Sequence, residues 1–218
     1  MTAPKKRTAI LISGRGSNMK SLVDAARHPD YPAEIVVVIS NRPDAAGIAW
    51  AKEQGIPAIA MDHKLYSDRA HFESQLHGIL TTSRVDLVCL AGFMRLMTPE
   101  FVTLWRDRML NIHPALLPAF KGLDTHARAL AAGVKFAGCT VHVVRPEMDE
   151  GPILGQAAVP VLTGDTEPDL AARVLAAEHQ LYPRILELFA RGQIAIDGNK
   201  TSSPSDVNET WAKFSPQV

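Results

Sequence analysis

The stretch from Thr8 to Asn18, which reads TAILISGRGSN, decides the fold class. Its first part is an apolar run that predicts a buried β-strand over residues 8–13. A glycine-containing turn follows, and the pattern after it predicts a helix over residues 17–27. A strand that leads through a tight turn into a helix is the first half of a βαβ unit, from which parallel sheets are built.

Strand and helix patterns alternate along most of the chain. This alternation predicts an α/β fold with a mostly parallel sheet that helices cover on both faces. Further strands are predicted over residues 34–40, 57–61, 86–91, 109–112, 138–144 and 156–161, and further helices over residues 45–54, 68–82, 99–105, 125–132 and 167–190.

The composition favours one neutral globular domain. The 218 residues include 23 Lys and Arg against 23 Asp and Glu, and 46% are hydrophobic. A net charge of zero argues against a nucleic-acid clamp or a polybasic membrane anchor. We expect a single domain over residues 1–196 and a polar C-terminal tail over residues 197–218, with Trp211 and Phe214 docking back onto the domain.

Apolar segments and cysteines indicate the compartment. Runs such as Ile35 to Ile39 are far shorter than the roughly 18–20 residues that cross a bilayer, and the basic residues near the start do not lead into a secretory signal. We therefore expect a cytoplasmic protein. Cys89 and Cys139 lie in apolar, strand-like runs, which predicts buried reduced thiols.

The glycine loop after the first strand is a candidate anion site. It reads SGRGSN over residues 13–18, and the N–H groups at a helix start favour a phosphate. A dinucleotide fingerprint needs a third glycine where Met19 stands, and an acidic residue where the second strand ends in Ser40, Asn41 and Arg42. The loop therefore favours a monophosphate over a nicotinamide cofactor. The alternative is an ordinary tight turn.

A second motif, Asn111-Ile112-His113-Pro114, closes the predicted fifth strand. Strand alternation places Asn111 and His113 on the same face of the sheet. An amide that hydrogen-bonds a developing oxyanion, next to an imidazole that moves a proton near neutral pH, suits a reaction at a carbonyl carbon. The alternative is a structural histidine at a strand end.

The third motif is the loop after the sixth strand, which reads RPEMDEGP over residues 145–152. If Asp149 folds back toward His113, its charge raises the pKa of that histidine and makes an acid–base pair. The alternative is a solvated acidic turn. A zinc site from His113, His142 and Asp149 is disfavoured because the sequence lacks a zinc-binding spacing, so we expect no metal. No nucleophile elbow is present, which favours direct attack by the substrate.

Together, and in this order, the motifs resemble the phosphoribosylglycinamide formyltransferases, folate-dependent enzymes of purine synthesis. The matching elements are SGRGSN over residues 13–18, AGFMR over 91–95, NIHPALLP over 111–118, DEGPI over 149–153 and EHQLYP over 178–183. The resemblance covers about residues 8 to 190. It implies a Rossmann-like sheet of about seven strands, the formyltransferase fold.

The resemblance also implies roles for individual residues. The catalytic trio is Asn111, His113 and Asp149. The phosphate and ribose of the substrate are bound by Gly14, Arg15, Gly16, Ser17, Asn18 and Glu178. The folate side is formed by Phe93, Met94, Arg95, Leu96, Met97, Val144, Arg145, Glu147, Met148 and Arg69. Two positions depart from the family: Ala115 stands where Ser is frequent, and Arg15 where another polar residue is frequent.

The implied reaction is transfer of a formyl group from 10-formyltetrahydrofolate, as co-substrate, to the amine of glycinamide ribonucleotide, without a metal. One alternative is 10-formyltetrahydrofolate hydrolysis, although hydrolase relatives carry an amino-terminal regulatory domain and only about seven residues precede the first strand here. Another is a non-catalytic phosphate- or nucleotide-binding module. The expected partners are these two small molecules, with no nucleic acid and no membrane, in a monomer or a homodimer.

Overall fold

Buried aliphatic runs form the strands of a central seven-stranded sheet in the computed structural model, which describes residues 4–203. The strands are β1 (Lys6–Ile12), β2 (Ala33–Ser40), β3 (Ala58–Ala60), β4 (Leu87–Leu90), β5 (Met109–His113), β6 (Phe136–Val143) and β7 (Ile153–Pro160). The helices are α1 (Ser17–Ala26), α2 (Ala46–Glu53), α3 (Arg69–Thr82), α4 (Pro99–Leu104), α5 (Thr125–Ala131) and α6 (Glu167–Ala190). The predicted α/β class and the order of its elements are confirmed.

The strand order is β3-β2-β1-β4-β5-β6-β7. The first five strands in this order are parallel, whereas β6 is antiparallel to both β5 and β7. The chain winds outward from β1 in both directions, so the switch point of the sheet lies between β1 and β4. In open α/β sheets, ligands bind beyond the carboxyl ends of the strands at such a point.

Two hydrophobic clusters cover the two faces of the sheet. One cluster packs α1, α2, α5 and α6 on one face, and the other packs α3 and α4 on the opposite face. Leu110 and Ile112 of β5 belong to the first cluster and Met109 to the second, so successive residues of this strand alternate between the faces. Asn111 and His113 therefore share the face of α3 and α4, as alternation predicts.

Strands β6 and β7 begin two and three residues before their predicted starts at 138 and 156. The segment from Gly151 to Gly155 resembles a loop in sequence, yet Ile153 already pairs with His142. Gly155 has a packing reason: a Cβ there would lie 2.4 Å from Ile185 Cδ1 of α6. A glycine thus permits the close approach of helix and strand rather than a turn.

The expected tail from residue 197 begins within a hairpin. Strands β8 (Ala195–Asp197) and β9 (Lys200–Ser202) pair, and the Thr201 hydroxyl donates to Ile153 O at 2.6 Å. The division of the chain at residue 196 stays a prediction, and Trp211 and Phe214 lie outside the described residues. Within residues 4–203, no helix has the length and apolar character that a membrane crossing requires. Cys89 and Cys139 are buried free thiols, as predicted.

Candidate active site

The end of β5 places an amide and an imidazole beside each other. Asn111 and His113 are two residues apart on this strand, and His113 is 5% exposed. Asn111 is paired in register with His142 of the antiparallel neighbour β6. Two histidines and an amide thus meet in a small area of the sheet.

The loop between β6 and β7 folds back over this area and brings Asp149 to it. Asp149 Oδ2 lies 3.4 Å from His113 Nδ1, and Asp149 Oδ1 lies 3.6 Å from His142 Nε2. The backbone N–H of Gly122 donates to Asp149 Oδ2 at 2.9 Å. The structure therefore brings the three predicted catalytic side chains into one cluster.

Both ring nitrogens of His113 face acceptors. Nδ1 faces the Asp149 carboxylate, and Nε2 lies 3.0 Å from the carbonyl oxygen of Phe120. A doubly protonated ring can donate to both oxygens, whereas a neutral ring can donate to only one. The geometry thus gives each nitrogen of the ring an oxygen to which it could donate.

His142 orients the amide of Asn111. Its Nε2 lies 3.1 Å from Asn111 Nδ2, and its Nδ1 lies 3.1 Å from the carbonyl oxygen of Val143. An amide nitrogen can only donate, so this contact uses one hydrogen of Asn111 Nδ2, and the same His142 nitrogen also lies 3.6 Å from Asp149 Oδ1. One amide hydrogen of Asn111 is thereby fixed, and the second remains for another acceptor.

The Asp149 carboxylate is held in its charged form. Burial by itself would raise its pKa, but the contact with His142, the Gly122 N–H and the charges of the two rings outweigh burial and lower the pKa below its ordinary value. Asp149 is therefore a carboxylate at neutral pH. It can balance a positive ring at His113 or accept a proton from a neighbouring group.

The glycine loop connects β1 to α1 as predicted. Gly16 occupies the N-cap of α1 with a φ of +70°, a left-handed conformation that favours glycine. Because glycine carries no side chain, it cannot cap the first N–H groups of the helix, and these point beyond the end of β1. Arg15 is exposed, so its guanidinium is placed in solvent.

Asn18 and Glu178 meet behind this loop. Asn18 Nδ2 donates to Glu178 Oε2 at 2.7 Å, and the Asn18 oxygen is a buried acceptor with no protein partner among the described residues. Glu178 is 5% exposed. Burial raises its pKa from the ordinary 4.5 to about 7, although the hydrogen bond from Asn18 acts in the opposite direction. The oxygen atoms of this pair can accept hydrogen bonds from donor groups of a ligand.

Helix α6 connects this pair to the cluster of Asn111, His113 and Asp149. One turn after Glu178, the Tyr182 hydroxyl lies 3.2 Å from Leu90 O and 3.1 Å from Leu110 O. Leu110 precedes Asn111 on β5. The helix that carries Glu178 is thus held against the two strands that lead to the site.

The segment after β4, assigned to folate by resemblance, alternates between core and solvent. Phe93 and Met97 are buried in the cluster under α3 and α4, whereas Met94 and Leu96 are 66% and 56% exposed. Arg95 lies over the ring of Phe72. Of these apolar side chains, only Met94 and Leu96 are presented to solvent, and the buried pair anchors the segment.

The remaining predicted folate residues lie in two places. The Arg145 guanidinium bonds Asp107 Oδ1 at 2.5 Å, and Val144 packs against the core. Glu147 and Met148 are exposed on the loop that carries Asp149. Arg69 is exposed at the first residue of α3.

An open cavity of about 500 Å³ lies beyond the carboxyl ends of β2 and β3, next to Met94. Its lining includes the cations Arg42, Lys64 and Arg95 and the carboxylates Asp44 and Asp62. Arg42 pairs with Asp44 at 3.2 Å, so the charges of this cavity are mixed. Within residues 4–203, no group of three His, Cys, Asp or Glu residues has an arrangement that could hold a metal ion.

The sequence predicts the three residues that lie together here but not three of their neighbours. It offers His142 only as a candidate zinc ligand, and the position of His142 opposite Asn111 depends on the antiparallel register of β6. The Phe120 carbonyl and the Gly122 N–H are backbone groups, which no residue type reveals. Knowledge that β6 runs antiparallel to β5 is the one signal that could have identified His142.

Comparisons with known proteins agree with this geometry. The formyl transferase family model matches residues 6–186. The phosphoribosylglycinamide formyltransferase of Haemophilus influenzae is 39% identical over 194 residues, which cover 89% of this chain and 92% of the relative. A solved structure of glycinamide ribonucleotide transformylase 1 from Symbiobacterium toebii has 48% identity and a TM-score of 0.89, with 91% of this chain and 94% of that chain covered.

Other relatives are much longer than this chain. The trifunctional purine biosynthetic protein adenosine-3 of Bos taurus is 48% identical over 197 residues, which cover 90% of this chain and 20% of the relative. The chain thus spans about a fifth of the length of this relative. The family model nevertheless covers all seven strands of the central sheet, together with Asn111, His113 and Asp149. On this evidence the chain belongs to the formyl transferase family.

Proposed function

We propose that this protein transfers a formyl group from 10-formyltetrahydrofolate to the amine of glycinamide ribonucleotide. The proposal depends on one observation: Asn111 and His113 of β5 and Asp149 of the loop after β6 lie in one cluster. The names of the relatives and solved structures support the choice of substrates.

The proposed chemistry follows from the groups present. The amine nitrogen of glycinamide ribonucleotide attacks the formyl carbon, and the carbonyl oxygen becomes an oxyanion. The amide N–H of Asn111 and an N–H of His113 donate to that oxygen, and Asp149, which faces His113 Nδ1, accepts the proton that the amine loses, directly or through a water. The tetrahedral intermediate then collapses: the carbonyl forms again, the bond from the formyl carbon to N10 of the folate breaks, and N10 takes up the proton that the amine gave to Asp149, so that tetrahydrofolate leaves.

The remaining assignments concern binding. We place the phosphate at the first turn of α1, against the N–H groups of Gly16 to Asn18, and the ribose hydroxyls at the Asn18–Glu178 pair. We place the folate against Met94 and Leu96, with its carboxylates toward Lys64 and Arg95 of the neighbouring cavity. Holding two reactants in line contributes about 7–11 kcal/mol in favourable cases.

The test follows the release of tetrahydrofolate from 10-formyltetrahydrofolate, with and without glycinamide ribonucleotide. We expect deformylation that depends on the amine, together with formylated product in equal amount. Deformylation at the same rate without the amine would instead identify a hydrolase.

A second measurement separates an enzyme from a binding module. His113→Ala removes the ring that contacts Asp149 and leaves the glycine loop intact. We expect loss of turnover with retained binding of glycinamide ribonucleotide, measured by calorimetry. Binding in the wild type without any turnover would favour a non-catalytic module.

A further inference from the structure

Ser13 lies at the switch point of the sheet, between β1 and the glycine loop. It is 5% exposed, and its backbone N–H donates to Gly92 O at 3.1 Å. Gly92 begins the segment that follows β4. The serine therefore stands where the two central strands of the sheet separate and their loops diverge.

The Ser13 hydroxyl joins three segments of the chain. It donates to Asn41 Oδ1 at 2.5 Å and accepts from the backbone N–H of Met94 at 2.8 Å. Asn41 follows β2 and is 3% exposed. The hydroxyl proton and a lone pair are thus both in use, and the direction of the hydroxyl is fixed by Asn41.

These bonds link the two regions that the proposed function assigns to different substrates. Gly14, which follows Ser13 directly, begins the loop for the ribonucleotide phosphate. Met94 lies in the segment for folate. Gly14 itself is fixed on its other side, because its carbonyl accepts from Gly47 N at 3.1 Å. Ser13 is the hydrogen-bonded link between a firmly held phosphate loop and the folate segment.

We propose that Ser13 is a positioning residue that fixes the folate segment against the phosphate loop and so sets the distance between the attacking amine and the formyl carbon. This inference rests on the proposed function. It assigns Ser13 no contact with the reacting atoms. Its effect passes through the backbone of Met94 and through Asn41.

The Ser13→Ala variant removes the two bonds of the hydroxyl, to Asn41 and Met94, and keeps the backbone bond to Gly92 O. Because a displacement of about 1 Å can lower a rate about 100-fold, we expect kcat for formyl transfer to fall roughly 10- to 100-fold. KM values for both substrates stay close to wild type, since each site keeps its own contacts. Water competes better with a misplaced amine, so the share of tetrahydrofolate released without formylated product rises.

Two further variants separate positioning from folding. Ser13→Cys keeps the shape of the side chain with a larger atom and offers a weak acceptor to Met94 N–H, so we expect the same direction of change as for alanine. Thr8→Val is the matched control. Thr8 is fully buried on β1, the strand that leads to Ser13, and its hydroxyl donates to the backbone oxygen of Lys6 at 3.1 Å.

The experiment measures formylated product and total tetrahydrofolate for each variant, with thermal unfolding as the measure of stability. Thr8→Val should keep the wild-type kcat and the wild-type ratio of transfer to hydrolysis. An unchanged ratio and kcat in folded Ser13→Ala and Ser13→Cys would overturn the inference, and so would an equal change in Thr8→Val. Failure of the proposed function is separate, because it appears as amine-independent deformylation in the wild type.

Discussion

Asp149 Oδ2 lies 3.4 Å from His113 Nδ1, although the carboxylate belongs to the loop after β6 and the ring to the end of β5. The backbone of Asp149 adopts a φ of +57°, in the left-handed region that Asp enters more readily than most residues. The two side chains are 10% and 6% exposed. Their charges are therefore screened less than those of a surface pair.

Asp149→Asn should lower turnover sharply. The amide keeps the shape of the carboxylate and can still accept from Gly122 N–H, but it neither carries the charge that faces His113 nor takes up a proton. A positioned acid or base contributes roughly 10²–10⁴-fold to a rate, so we expect a loss of kcat in this range at saturating substrates. Initial rates of amine-dependent deformylation measure it.

The control for this variant is Asp165→Asn. Asp165 pairs with Arg173 at 2.7 Å in the turn before α6, remote from the catalytic cluster. Its replacement removes an ion pair and leaves the catalytic groups in place, so kcat should stay near wild type. Turnover close to wild type in Asp149→Asn would contradict the proton role of this carboxylate.

Asn111→Ala should remove an oxyanion donor. Such a donor contributes roughly 2.7–4 kcal/mol, or about 10²–10³-fold in kcat. His142→Gln should have a smaller effect, because a glutamine oxygen can still accept from the Asn111 amide at the place of the histidine Nε2. Steady-state rates of both variants give the order of these losses. A larger loss in His142→Gln than in Asn111→Ala would contradict the assignment of the oxyanion donor to Asn111.

Strand periodicity alone predicted a large part of this architecture. The apolar run before the glycine loop identifies β1, and alternation places Asn111 and His113 on one face, as observed. These features depend only on residues that are close to one another in the sequence. The same holds for buried Cys89, which lies in a continuous apolar strand.

Features that depend on distant pairing could not be predicted from residue patterns. His142 lies opposite Asn111 because β6 is antiparallel to β5, and a short apolar run does not reveal its direction. The return of Asp149 requires a positive φ and the N–H of Gly122, which belongs to another loop. The resemblance to a family identified Asp149, whereas residue spacing left an acidic surface turn as an alternative.

Gly16→Ala tests the glycine loop. The φ of +70° costs a non-glycine residue about 1–2 kcal/mol, and the added Cβ would lie 2.8 Å from Met19 Cε. We expect a loss of stability and a higher KM for glycinamide ribonucleotide, with the KM for folate nearly unchanged. Gly55→Ala is the control, because Gly55 has a φ of +75° with no atom within 4 Å of the added Cβ. If the KM for glycinamide ribonucleotide is unaltered in Gly16→Ala, the phosphate does not bind at this loop.

Glu178→Gln should stabilise the fold at high pH. The pKa of Glu178 is raised by burial, against the Asn18 hydrogen bond, from the ordinary 4.5 to about 7. Between these values the unfolded chain releases the proton and the folded protein keeps it, so stability falls as pH rises through this interval. Above pH 7 the full penalty of an ionised buried carboxylate applies, and below pH 4.5 it is absent. Glutamine can accept from Asn18 and carries no charge.

We therefore expect Glu178→Gln to exceed the wild type in free energy of unfolding by up to roughly 3 kcal/mol at pH 8, with the difference vanishing near pH 4.5. Urea unfolding at several pH values measures it. Glu187→Gln on the same helix should behave oppositely, because the ion pairs with Arg184 and Arg191 outweigh burial and lower the pKa of Glu187. If the free energy of unfolding of Glu178→Gln differs from that of the wild type by the same amount at every pH, ionisation of the Glu178 carboxyl is not the source of the difference. A stabilised variant with a higher KM for glycinamide ribonucleotide would mean that the fold keeps a destabilising carboxylate because the substrate needs it.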